Sequence, residues 1–244
     1  MIVIRTCSGF EELQACVALQ IETWGYDGGD VIPRRAFLVA QKIGGQVIGA
    51  FDTELSGAPA EGGAESLVGF AFSLPGVKTG KGEPQAYLHS HMLAVKEAYR
   101  NRGLGAKLKL EQRKDALSRG IRHMEWTFDP LEIKNAYLNI EKLGAVARRY
   151  HVNQYGITSS PLQGSLPSDR LVAEWWMKSR RVEKVLADGH RPDCQADVRI
   201  DVPAEIYEWK SAEATRAQAL TVQQRNCERF MQAFAAWIDS NAKS

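Results

Sequence analysis

Two histidines, His89 and His91, lie two residues apart in an apolar, partly alternating run from Tyr87 to Val95. A basic, glycine-spaced turn follows, Arg100-Asn101-Arg102-Gly103-Leu104-Gly105-Ala106. Histidine titrates near neutral pH, so either ring suits the removal of a proton from an attacking nucleophile, directly or through a water. A spacing of two puts both rings on one face of a strand, where they can relay a proton or simply pack as a hydrogen-bonded pair. Gly103 and Gly105 remove the Cβ atoms that would keep backbone N–H groups away from an anion. A helix opening at these glycines adds a favourable dipole, and Arg100 and Arg102 add charge at the rim. The chemistry on offer is a phosphate cradle with a proton acceptor beside it; the bland alternative is an ordinary glycine turn.

The elements that must position these groups can be read from periodicity. A first strand covers Ile2 to Arg5. Ser8 is placed to cap a helix over Phe10 to Glu22, and Pro33 opens a second through Gln41. Strands follow at Gln46 to Thr53 and Ser66 to Leu74, with a Gly/Ala/Pro-rich loop, Ser56 to Glu65, between them. A Pro-Gly turn and a polar loop, Lys78 to Pro84, lead into the histidine strand. A helix from Gly103 to Arg119 ends at Gly120. Then come a strand over Ile121 to Phe128, a helix from Leu131 to Leu143 closed by Gly144, and strands at Val146 to Tyr155 and Arg170 to Met177. Three consecutive strands without intervening helices exclude a doubly wound dinucleotide fold and predict α+β with a mixed, mostly antiparallel seven-stranded sheet. Residues 1–178 read as one domain. Residues 179–244 read as an extension: a short helix over Arg180 to Asp188, an edge strand over Asp197 to Val202, and a helical region from Pro203 to Trp237. That last region either packs on the sheet or serves as a homodimer arm.

Composition narrows the classes further. Of 244 residues, 44% are apolar and 25% charged, and net charge is +2, so no basic stripe argues for nucleic acid. Cys7, Cys16, Cys194 and Cys227 show no metal-ligand spacing and fit buried thiols in a reducing, cytoplasmic setting; no metal is expected. No signal peptide and no apolar run of membrane-spanning length is read.

Val95 followed by Arg100-x-x-Gly103-x-Gly105-Ala106 resembles the acyl-CoA-binding motif of the GCN5-related N-acetyltransferase (GNAT) superfamily, over Met1 to Lys178. The strand order supports the resemblance, with Leu143-Gly144-Ala145 in place of that family's Gly-Phe ending. The runs Leu88-His89-Ser90-His91-Met92, Trp126-Thr127-Phe128-Asp129-Pro130-Leu131 and Pro167-Ser168-Asp169-Arg170-Leu171 resemble a bacterial branch, some members of which are linked to N-succinylation of amino acids.

The resemblance implies acetyl-CoA or another acyl-CoA as co-substrate. It implies a pantetheine arm pairing with the main chain of Leu93, Ala94 and Val95, where strands four and five splay apart. It implies a pyrophosphate on Arg100, Arg102, Gly103, Leu104, Gly105 and Ala106, and an oxyanion held by the backbone N–H near Leu93 or Ala94. Lys107 or Lys109 could reach the 3′-phosphate. Relatives with a base on strand four often carry a carboxylate six residues before the strand-end aliphatic; here that position is His89. The family's tyrosine acid, four residues before Gly144, is replaced by Ile140, and its asparagine, eleven before, by Ile133. Asn135 and Asn139, four apart, could meet the pantetheine amides, and Tyr137, Tyr150 and Tyr155 are substitute acids.

For the acceptor, Trp126 on strand five is a candidate substrate-binding residue, Asp129 could hold an ammonium or shape the Asp-Pro turn, and Arg170 could pair with a carboxylate or simply with Asp169. The function so implied is an N-acyltransferase acting on a small-molecule amine or amino acid. Succinyl-CoA as donor and a non-catalytic CoA-binding module are the alternatives.

Overall fold

The computed structural model describes residues 1–55, 62–79, 82–189 and 195–241. Cys194, residues 56–61 of the expected loop, residues 80–81 and residues 242–244 lie outside the described residues. The strands are β1 (Ile2–Thr6), β2 (Gln46–Asp52), β3 (Leu67–Lys78), β4 (Gln85–Val95), β5 (His123–Phe128), β6 (Val146–His151) and β7 (Arg170–Trp176). They form one seven-stranded sheet in the order β1-β2-β3-β4-β5-β7-β6. Four recorded pairings are antiparallel and β4 with β5 is parallel. The helices are α1 (Gly9–Trp24), α2 (Arg34–Lys42), α3 (Leu104–Ser118), α4 (Ile133–Ala136, continued as a π-helix over Tyr137–Lys142), α5 (Arg180–Asp188), α6 (Ile206–Ser211) and α7 (Arg216–Asn241). The α+β expectation with a C-terminal helical extension is met.

The chain divides into two compact units. The first comprises Met1–Trp126 and Trp175–Ser179. Its β-strands carry apolar residues on both faces, and each face has its own core. Phe37, Phe70, Phe72, Met92 and Ala94 pack with α1 and α2 on one side. Ile48, Val68, Ala71, Val95, Leu104 and Leu108 pack with α3 on the other. Phe37 meets Phe72 and Phe70 edge-on at 4.8 and 5.8 Å, and each such buried side chain contributes roughly 1.5–3 kcal/mol. These two layers clamp β4 in place, which matters because β4 carries both histidines.

Two local expectations change here. Pro75 and Gly76 do not turn the chain; they continue β3, opposite Leu88 and Tyr87 of β4. β2 stops pairing at Ser73, so beyond it β3 has a neighbour on one side only, and proline's missing N–H is tolerated on an open edge. A Cβ on Gly76 would meet the Tyr87 ring at 2.5 Å, so the bare backbone is what lets the strands close. At α1, Ser8 caps through its N–H, which donates to Glu12 Oε2 at 2.8 Å, rather than through its hydroxyl.

The second unit comprises Thr127–Glu174 and Arg180–Ser244. Leu131, Leu166, Ile206, Ala219 and Val222 form its core, so α6 and the first half of α7 pack within it. Buried Gln223 donates to the Pro167 carbonyl at 2.7 Å, and buried Asn226 donates to the Asp201 carbonyl at 3.1 Å. Tyr150 stacks on Phe230 at 5.6 Å. The edge strand expected over Asp197 to Val202 is irregular chain instead. Val198 is 49% exposed, so the alternation there has no buried face to specify a strand.

Candidate active site

β4 and β5 pair over only two rungs, Leu88 with Met124 and His89 with Glu125. β4 then runs six residues further, to Val95, paired on its other side to β3. Past His89, no pairing between β4 and β5 is recorded among the described residues, which is the splay that the resemblance implies.

The register of β3 and β4 shifts between Phe72 and Ser73: Phe72 faces Met92, and Ser73 faces Ser90. His91 is therefore the extra residue of a β-bulge, a device that re-aims side chains. The two rings do come together, with centroids 6.0 Å apart, and His91 meets Phe72 edge-on at 6.1 Å. The neighbourhood arises through the bulge rather than through plain alternation. His89 is half-buried and His91 more open. Burial pushes the His89 pKa below its ordinary 6.5, the nearby charges of His91 and Lys109 add to this, and Glu125 opposes it. Desolvation by the protein packed around it also lowers His91.

The cradle follows β4. Asn101 and Gly103 both take left-handed backbone conformations, with φ of 61° and 73°. Gly103 is the N-cap of α3; no side chain caps the helix and no acidic residue sits in its first turn. The first intrahelical bond runs from Lys107 N–H to Gly103 O at 3.1 Å, so the N–H groups of Leu104, Gly105 and Ala106 have no partner within the helix. A Cβ built on Gly103 meets nothing within 4 Å, so space above the turn is open. These features fit an anion of the phosphate class. Arg102 lies over Tyr99 at 5.5 Å, and Tyr99 donates to Asp52 at 2.7 Å. Arg100 folds back, its Nε donating to the Val95 carbonyl at 3.1 Å, which ties the turn to the strand end.

Lys107 is exposed, but Lys109 is 3% exposed and does not reach a surface phosphate. Its Nζ donates to Ser90 Oγ at 2.7 Å and sits 3.6 Å from the Trp126 ring centroid. Ser90 donates in turn to Gln112 Oε1 at 2.9 Å. Among the described residues no carboxylate pairs with Lys109, and burial holds its pKa well below 10.5. The buried amide nitrogen of Gln112 likewise has no recorded partner. Trp126 thus lies under α3, whereas Glu125, the adjacent residue on the strand, shares the face of His89.

Protein-family models and curated proteins give no match to the chain. Solved structures do. NAA60 of Arabidopsis thaliana in complex with acetyl-CoA superposes with a TM-score of 0.57 at 16% identity, covering 73% of this chain and 100% of that one. The ribosomal-protein-S18-alanine N-acetyltransferase of Escherichia coli gives 0.51 at 14%, covering 74% and 97%. A putative acetyltransferase of the GNAT family from Desulfovibrio desulfuricans gives 0.53 at 12%, covering 72% and 99%. The chain has the GNAT acetyltransferase fold.

Within that fold, the remaining expected residues lie in the second unit. Asp129 does hold an ammonium, but it is the chain's own: Oδ2 accepts from Lys210 at 2.9 Å, and Oδ1 accepts the Leu131 N–H at 2.8 Å. Arg170 donates to Gln163 at 3.2 Å, not to Asp169, which accepts from Tyr150 and the Asn153 N–H. Asn135 is exposed and Asn139 buried, because the helix widens to a π-turn at Tyr137 and their common face is lost. Burial, with the Asp169 bond, raises the Tyr150 pKa, and its hydroxyl proton is donated to Asp169 Oδ2 at 2.6 Å. Tyr137 and Tyr155 are exposed, with Tyr155 bonded to Thr127. A pocket of about 440 Å³ lined by Phe10, Arg34, Arg35, Leu38 and Val39 carries none of the groups named above. Among the described residues no cluster of three metal-ligating side chains occurs, and no helix is long and apolar enough to cross a membrane.

Glu125, Lys78 and the buried state of Lys109 escaped the sequence reading. Only strand pairing brings Glu125 to His89, and the sole hint in the chain is a carboxylate set between the apolar residues Met124 and Trp126.

Proposed function

We propose that the protein is an acyl-CoA-dependent N-acyltransferase acting on a small-molecule amine or amino acid. The observation that carries this is the parting of β4 and β5 at His89, directly ahead of the uncapped N-terminus of α3. The N–H groups of Leu104, Gly105 and Ala106 take the pyrophosphate of the donor, and the open β4 edge from Leu93 to Val95 takes its amide-bearing arm. The backbone near Leu93 or Ala94 supplies the oxyanion donor. His89 removes a proton from the acceptor ammonium, directly or through a water. The freed nitrogen lone pair forms the N–C bond to the thioester carbonyl, the C–S bond breaks with its electrons on sulfur, and the nitrogen's second proton passes through solvent to that sulfur. A thiol of pKa about 8.5 is a good leaving group, so the absence of a tyrosine at Ile140 leaves transfer workable with solvent as the proton source.

Isothermal titration of acetyl-CoA and other acyl-CoAs, followed by an amine and amino-acid screen with the tightest, tests this reading. A β-branched residue is strained at positive φ, so Gly103→Val is expected to weaken acyl-CoA binding at least tenfold. Equal binding by the variant overturns the cradle. Tight binding with no thiol release from any pairing favours a non-catalytic CoA-binding module.

Lys109 favours a second reading, in which the donor is succinyl-CoA. A buried lysine with no carboxylate partner among the described residues is costly to keep charged, and the carboxylate of an anionic acyl tail would supply the counter-charge it lacks. Lys109→Met is then expected to raise the melting temperature while lowering kcat/KM for succinyl-CoA about tenfold or more relative to acetyl-CoA. An unchanged donor ratio removes this reading.

A further inference from the structure

The last rung that joins β4 to β5 sets His89 opposite Glu125. Residues opposed across neighbouring strands stand about 4.8 Å apart and point to the same face, so the carboxylate shares the face of the imidazole and its charge acts on the ring through space. Glu125 is 8% exposed, and it accepts from Lys78 Nζ at 2.6 Å. Lys78 belongs to the far end of β3, where the strand runs on through Pro75 and Gly76 with β4 as its neighbour, and its Nζ lies 5.2 Å from the Tyr87 ring. The extension of the hairpin past the expected Pro-Gly turn is what delivers this cation to the carboxylate. A base on a splayed strand needs its ring held, and its protonated form needs a counter-charge in surroundings that hold another histidine and a buried lysine.

We propose that Glu125 is a positioning residue for acyl transfer: its carboxylate, anchored by Lys78, orients the His89 ring and stabilises the imidazolium that forms when His89 takes the acceptor's proton. The inference rests on the reading of His89 as the base. One proton leaves the acceptor ammonium for the imidazole, the nitrogen pair forms the new C–N bond as the C–S bond breaks, the nitrogen's second proton goes to the released thiolate, and the imidazolium returns its proton to solvent. Glu125 neither gains nor loses a proton. The charges facing His89 are His91 on its own strand and Lys109 from α3, both of which disfavour the imidazolium, and Glu125 from β5, which favours it. Lys78 from β3 acts through Glu125.

Glu125→Gln in the full chain is expected to lower kcat/KM about tenfold or more, within the 10²–10⁴-fold that a positioned base supplies. The acyl-CoA KM should not change, and the acid limb of the pH profile should move to lower pH. Lys78→Met should move that limb the other way, and Glu125→Asp should keep it in place. If Glu125 merely stitches β3 to β5, both Glu125→Gln and Lys78→Met lose activity without moving the limb, and the proposal is overturned. NMR titration of ring-labelled histidine reads the same coupling without turnover. The His89 midpoint should fall in Glu125→Gln and rise in Lys78→Met, and a midpoint indifferent to both overturns the proposal. A moving midpoint in a parent protein that transfers no acyl group supports the Glu125–His89 pairing and overturns only the transferase reading.

Discussion

Changing His89 to alanine is expected to lower kcat/KM for acyl transfer by about 10²–10⁴-fold while leaving acyl-CoA affinity unchanged. The groups proposed to bind the donor are main-chain N–H groups of α3 and the β4 edge, and none depends on the imidazole. The effect should therefore fall on the chemical step. His91→Ala should cost less, because its ring is the more open one and sits on the bulge against Phe72. If the two rings relay one proton as a unit, the double variant will be no worse than His89→Ala alone. Thiol release measured at saturating acyl-CoA decides the matter; full activity in His89→Ala removes the base assignment.

The pH dependence has a fixed sign. Burial lowers the His89 pKa first, and the charges of His91 and Lys109 lower it further. A depressed pKa keeps the ring neutral, and so able to accept a proton, to lower pH than an exposed histidine. The acid limb of kcat/KM should lie below pH 6.5, and a limb above it contradicts the burial seen for this ring. The same depression makes folding favour the neutral ring, so the stability tied to half-buried His89 is present above about pH 6.5 and is lost as pH falls.

Local chemistry was legible in the chain, and cross-strand geometry was not. The turn at Arg100 to Ala106 announces itself because Gly103 occupies a backbone region that few other residues tolerate, and because an apolar strand precedes it and a helical stripe follows. Element order along 1–178 likewise followed from period-two and period-3.6 patterns. What failed depends on partners that no spacing encodes. The bulge at His91 is visible only as two rungs on β3. Pro75-Gly76 has the signature of a turn, yet the rungs to Leu88 and Tyr87 override it. Trp126 was read as a substrate-binding residue and Lys109 as a phosphate-reaching lysine, whereas α3 and β5 pack them against each other at 3.6 Å. Asn135 and Asn139 lost their shared face to a π-turn, whose extra residue has no marker in composition. Asp129 was read as a turn former or as the holder of an ammonium; the turn is there in its bond from the Leu131 N–H, and the ammonium it holds is that of Lys210, 81 residues away in the chain.

That ammonium supports the largest stability effect expected in the molecule. Lys210 is 5% exposed, its Nζ lies 2.9 Å from Asp129 and 3.0 Å from Glu132, and Asp129 is itself buried. Burial alone would push the lysine pKa down, but the two carboxylates more than offset it and hold it above 10.5. The stability it contributes is therefore fully present at neutral pH and is lost only as pH rises through that raised value. Lys210→Met removes the cation and leaves the Asp129 carboxylate buried, with the Leu131 N–H as its remaining recorded donor. Breaking a buried pair in this way costs about 3–5 kcal/mol, well above the loss expected from a surface ion pair. Urea unfolding at pH 7 should show that loss. Adding Asp129→Asn should recover part of the stability, whereas two losses that simply add would mean the pair is not coupled. α6, which carries Lys210, sits against Leu131 and Leu166 through Ile206, so the variant should loosen α6 and the start of α7 within their own unit. Hydrogen exchange confined to those helices, with β4 protection unchanged, would locate the effect there.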